Sequence, residues 1–127
     1  MRFRSTLFLL PVAAAFAAES AMPTNHQDMA EALLDFLSRT ELCLNSCVDA
    51  DSVRAATPEL RKLATEADQL AAAQMALPEP TVQDFMAIQH RMGDFNNIWN
   101  AIQKHLRRLS EHGLMTDDFR QILKISL

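Results

Sequence analysis

The sequence predicts an all-α fold: a small up-down bundle of three long amphipathic helices plus a short C-terminal helix, after an N-terminal signal peptide. Three observations carry this reading. Apolar residues recur at three- and four-residue steps along three long stretches, the period of a helix with one buried face. The 127 residues include only two glycines, too few for the many tight turns of a β-sandwich or barrel. No stretch alternates apolar and polar residues in the two-residue rhythm of a half-buried strand.

The chain opens Met1-Arg2-Phe3-Arg4, runs into an apolar stretch from about Ser5 to Phe16, and continues in small residues up to Ala18. A basic start, a short apolar run and small residues together make a secretory signal, with Ala15-Phe16-Ala17 as an A-x-A site. Cleavage is expected after Ala17. The apolar run of about a dozen residues is shorter than the ~20 needed to span a bilayer, so no stable membrane anchor is expected after cleavage and the product is expected to be periplasmic or secreted. Residues 1–17 are then the signal peptide, 18–24 a disordered N-terminal segment and 25–127 a single helical bundle domain. Loss of Arg2 and Arg4 leaves ten basic side chains against sixteen acidic ones, a net charge of −6. An acidic surface repels a phosphate backbone, which argues against a nucleic-acid partner.

The first helical stripe, between Thr24 and Val48, is Met29, Leu33, Phe36, Leu37, Leu44 and Cys47, with Thr40 as its one polar position. Thr24 or Asn25 can cap its start. Asp49 to Ser52 reads as a turn, because these side chains bond local backbone N–H groups readily. A second stripe follows in Val53, Ala56, Leu60, Leu63, Ala67 and Leu70. Within it Thr57-Pro58-Glu59 resembles an N-cap with proline at the first helical position, so the helix starts at Pro58 or kinks there. Pro78 and Pro80 end it. Thr81 and Asp84 form a capping-box pattern ahead of the strongest signal in the chain: Phe85, Ile88, Met92, Phe95, Trp99, Ile102, Leu106 and Leu109. A single rod from Val82 to His112 would be roughly 46 Å long. Gly113 suits the left-handed residue after a helix, and Thr116 caps a short last helix carrying Phe119, Ile122 and Leu123.

Cys43 and Cys47 form a C-x-x-x-C pair in a compartment that favours disulfides. Side chains four apart on a helix keep their Cβ atoms about 5–6 Å apart, whereas a relaxed disulfide wants about 3.5–4.5 Å. The pair is therefore a candidate disulfide at a frayed helix end, or two buried free thiols; a thiol redox pair, a soft-metal site and an intermolecular bridge stay open as alternatives. No metal site or catalytic set is expected. His105 and His112 stand seven residues apart, about 10.5 Å along a helix, too far to share an ion. Read as a calcium loop from Asp49, the sequence puts Arg54 where glycine is needed and Leu60 where glutamate is needed. The serines sit in no G-x-S-x-G elbow, and Gly93 and Gly113 alone build no phosphate loop.

The layout resembles that of exported four-helix cytochromes. The C-x-x-C-H haem attachment motif and a methionine–histidine axial pair are missing, so no ligand is carried over and no cofactor is expected. The function expected is that of a non-enzymatic helical protein acting through contacts with a protein partner or with itself as a homo-oligomer. The candidate interaction surface is Phe85, Phe95 and Trp99, because the alanine-rich second helix offers little bulk to cover them. The alternative is a metal- or haem-binding bundle using Cys43, Cys47, Met29 or a histidine.

Overall fold

Asn25, Asp49 and Thr81 each stand in extended backbone and accept a hydrogen bond from an amide three residues on, and each starts a helix of the computed structural model. The structure describes residues 22–126. The expected signal peptide, its cleavage site after Ala17 and most of the expected disordered segment lie outside the described residues. The helices are α1 (His26–Asn45), α2 (Ala50–Met75), α3 (Val82–Gln89), α4 (Met92–Glu111) and α5 (Asp117–Ser126). Among the described residues there is no strand.

The segment from Asp49 to Ser52, expected as a turn, is instead the start of α2. Asp49 accepts from the Ser52 amide and the Ser52 hydroxyl accepts from the Asp49 amide, a reciprocal capping box. Pro58 neither starts nor interrupts α2, which runs through it. Proline in a helix interior costs about 3 kcal/mol. Here Val53, Ala56, Leu60 and Leu63 are all buried on either side of it, so packing holds the helix through the lost bond.

The third long helix is divided. At His90 and Arg91 the chain leaves the regular ladder, and the Arg91 amide bonds the Ile88 carbonyl three residues back. The Arg91 guanidinium reaches Glu31 of α1 and Asp94 of α4, at 2.9 and 3.0 Å. The break therefore gives Arg91 an ion pair to each neighbour, and α4 restarts with Asp94 in its first turn, where the helix dipole favours an acid. Gly93, a poor helix former, makes the interruption cheap.

Helix α1 packs on α2, α3 and α4, and α5 packs on α2. The fully buried side chains are Leu44, Cys47, Val53, Ile102, Leu109 and Phe119. They come from α1 and the short connection after it, α2, α4 and α5, and none comes from α3. The core is therefore thickest where α5 closes the bundle. Gly113 takes the left-handed conformation, with φ 68°, and turns the chain from α4 towards α5. Ten residues of α5 cover about 15 Å, whereas the twenty residues of α4 extend about 30 Å. Half of α4 lies beyond the reach of the closing helix.

The two halves of the expected rod should respond differently to truncation. Ile102→Ala opens a cavity in the core and is expected to cost about 2–5 kcal/mol in urea unfolding, whereas Phe85→Ala on exposed α3 should stay within about 0.5 kcal/mol.

Candidate protein-contact surface

Successive residues on a helix stand 100° apart, so Ile98, Ile102, His105 and Leu109 share one side of α4 while Met92, Trp99 and Leu106 lie about 80–120° round from Ile98. The first set meets the bundle: Ile102 and Leu109 are fully buried. Of the second set, Leu106 packs against the edge of the core, while Met92 and Trp99 stand away from it. Trp99 keeps 40% of its surface and Met92 44%, and Phe95 and Leu106 are half-buried. On α3, Phe85 is 60% exposed, with Val82 and Met86 exposed beside it. The expected surface residues Phe85, Phe95 and Trp99 thus stand at the end of the molecule that α5 leaves uncovered. Sequence spacing did not single out Val82, Met86 or Met92 for it, although Met92 shares the seven-residue step of Phe85 and Trp99.

Polar contacts fix this surface to α1 from behind. At one end His26 Nε2 lies 2.5 Å from the Pro78 carbonyl oxygen, tying the start of α1 to the turn before α3. In the middle, Arg91 Nε faces Glu31 across 2.9 Å without aligning its N–H, while a terminal N–H of the same guanidinium donates to Glu31 at 3.1 Å. At the far end His105 Nε2 lies 2.8 Å from Glu41 on α1. Arg108 donates to the carbonyls of Cys47 and Leu44 at 2.6 and 3.1 Å. These are carbonyls at the C-terminal end of α1, which has no basic residue in its own last turn. Its cap comes from α4.

Cys43 and Cys47, the candidate disulfide, are two buried free thiols. Cys43 lies within α1, whereas Cys47 lies past its end, where its amide bonds the Leu44 carbonyl. The Cys47 thiol donates back to the Cys43 carbonyl at 3.4 Å, and the Cys43 thiol points to the Ala56 carbonyl at 3.9 Å. Burial pushes the Cys43 thiol up to about 11 and raises Cys47 as well. Neither is an activated nucleophile.

The remaining candidates do not converge. His105 is half-buried against Glu41, while His90 and His112 are exposed on separate parts of the α3–α4 segment. Met29 is buried in the core. Among the described residues no three of His, Cys, Asp and Glu come together to hold a metal ion, and no helix is long and apolar enough to cross a membrane. A hollow of about 380 Å³ between α1 and α4 is lined by Glu31, Asp35 and Asp94, but Arg91 already neutralises two of these acids. No family model, no curated protein and no solved structure matches this chain.

The raised thiols have a consequence for pH. A group that holds its proton more tightly when folded adds stability that is whole below the unfolded value, here the ordinary 9.0, and is lost as pH climbs through the folded value of about 11. The urea midpoint of the native chain is expected to fall across that interval by more than that of a Cys43→Ala variant; equal slopes would show that the thiol does not contribute.

Proposed function

We propose that this chain is an exported, non-enzymatic helical protein that works in the cell envelope or outside the cell by protein–protein contact, docking through the face that carries Phe85, Phe95 and Trp99. One observation carries the reading. Val82, Phe85, Met86, Met92 and Trp99 leave on the order of 500 Å² of apolar side chain in water, at the upper end of what a monomeric protein shows without an interaction to account for it. These residues follow helical spacing on α3 and α4, the form in which a helix offers its apolar edge to another helix.

Export rests on the N-terminal pattern of Arg2, Arg4, the apolar run and Ala15-Phe16-Ala17. A role without catalysis is part of the same proposal: among the described residues the two thiols are buried and hold their protons tightly.

Oxidative footprinting compares the purified chain at high dilution with the chain in the extracytoplasmic fraction of its host. Phe85, Met86, Met92 and Trp99 are expected to label strongly when dilute and to be shielded in the native fraction, with buried Ile102 and Leu109 unlabelled in both. Equal labelling of the aromatic face in the two states would overturn the contact role.

A further inference from the structure

We propose that His105 and Arg108 form a proton-operated clasp on the end of α1: while the ring is neutral Arg108 caps α1, and when the ring takes a second proton Arg108 is driven off the cap and the bond to Glu41 tightens. The clasp goes beyond the contact reading and does not depend on it.

Donor and acceptor roles fix the neutral state. His105 Nε2 lies 2.8 Å from a Glu41 carboxylate oxygen, and an ionised carboxylate only accepts. Nδ1 of the same ring lies 3.4 Å from a terminal nitrogen of Arg108, and a guanidinium only donates. The two neighbours therefore select one tautomer, with the proton on Nε2 and the lone pair on Nδ1. The same Arg108 nitrogen donates to the Leu44 carbonyl at 3.1 Å, and the other terminal nitrogen donates to the Cys47 carbonyl at 2.6 Å. One side chain of α4 thus serves the carbonyls at the negative end of α1, with the ring lone pair as its third acceptor.

A second proton enters the ring at Nδ1. There it replaces an acceptor with a donor that faces a permanent cation, so attraction becomes like-charge repulsion. At Nε2 the sign is opposite, because an imidazolium beside Glu41 makes a charge-assisted bond. The two effects act on different partners. The ring is drawn towards α1 at Glu41 while the guanidinium is pushed away, and the nitrogen that faces the ring is the one that holds Leu44.

His105 is the group in this cluster placed to respond. Helix α1 packs against this side of α4, and Glu41 is the charged residue it turns to the ring. On α4 itself Lys104 and Arg107 are exposed, and Arg108 is the cation in contact. Cys47, in the connection after α1, feels the Arg108 charge, but burial raises its thiol and it keeps its proton. Carboxylates ordinarily titrate below about pH 5 and guanidinium groups above about pH 12. Histidine is the side-chain type that ordinarily changes charge between about pH 5 and 8. The His105 side chain keeps 16% of its surface, so protons reach it while water screens its neighbours less than on an open face.

The test is NMR of the isotope-labelled full chain from about pH 8 to about pH 5, the histidine interval. At the upper end the ring nitrogens are expected to report the Nε2–H tautomer. At the lower end, amide exchange at Ser46 and Cys47, which bond the Leu42 and Leu44 carbonyls, should rise at least about tenfold after correction for its intrinsic pH dependence, the effect of losing a hydrogen bond to a charged group. Phe36, in the middle of α1, should keep its protection. His105→Gln offers Glu41 a donor but gains no proton, and should abolish the rise. An Nδ1–H tautomer at high pH, unchanged protection of Ser46 and Cys47, or the same rise in the glutamine variant would each overturn the clasp. Circular dichroism checks that the variant is folded. Should it not fold, the native chain decides: amide opening has to follow the titration of the His105 ring, and a different midpoint overturns the proposal.

Discussion

Helix α1 has to satisfy three neighbours at once, and the rest of the molecule is arranged around how it does so. Its buried positions, Met29, Ala30, Leu34, Phe36, Thr40, Cys43 and Leu44, spread over roughly half of the helix circumference at 100° per residue. An ordinary surface helix buries a narrower stripe. That wide arc lets α2 and α4 both pack on α1. It also uses up the inward edge of α4: Ile98, Ile102, His105 and Leu109 turn towards α1, and the flank of α4 that carries Met92 and Trp99 points elsewhere. A fourth helix of full length would cover that flank. Helix α5, with ten residues, covers only part of it.

The polar contacts follow the same division. Arg91 engages Glu31 and Asp94, His105 engages Glu41, Arg39 pairs with Glu66 to join α1 and α2, and Arg61 lies 3.6 Å from Asp118 to join α2 and α5. The Arg39–Glu66 pair is a two-bonded fork, the geometry in which a guanidinium and a carboxylate interact most strongly. Arg108 spends its donors on the end of α1. All of these groups lie between helices or on the α1 side of α4. None lies on the Met92–Trp99–Leu106 flank.

Much of the fold could be read from the chain. The caps at Asn25 and Thr81, the left-handed Gly113 and the buried stripes of α1 and α2 are local signals with local causes, and they survive packing. The expectations that fail are those where a distant contact overrides a local preference. Pro58 reads as a boundary, yet the buried residues on either side carry α2 through it. The stretch from Val82 to His112 reads as one continuous rod, yet the ladder breaks at His90 and Arg91, where Arg91 meets Glu31 of α1, sixty residues away in the chain. Asp49 to Ser52 reads as a turn because the same side chains serve turns and caps alike. For the contact surface, spacing could identify Phe85, Phe95 and Trp99 as members of one seam. It could not say which heptad position would face inward, because that depends on where α1 lies. Hence Phe95, nearer the bundle, is half-buried while Trp99 is exposed.

An apolar face persists on a folded chain only if it does not compete with the core for the same partners. In this molecule the two are segregated. The residues without solvent exposure cluster at the α5 end, and α3, which contributes none of them, holds the exposed end. Truncating Phe85 removes surface that folding left largely in water, so stability is nearly indifferent to it, whereas Trp99 and Phe95 each bury part of the ring against the bundle. Large aromatic side chains in water carry a free-energy cost that hydrophilic residues at the same positions would not. Contact with another protein, the role proposed for this face, would return that area to an apolar environment.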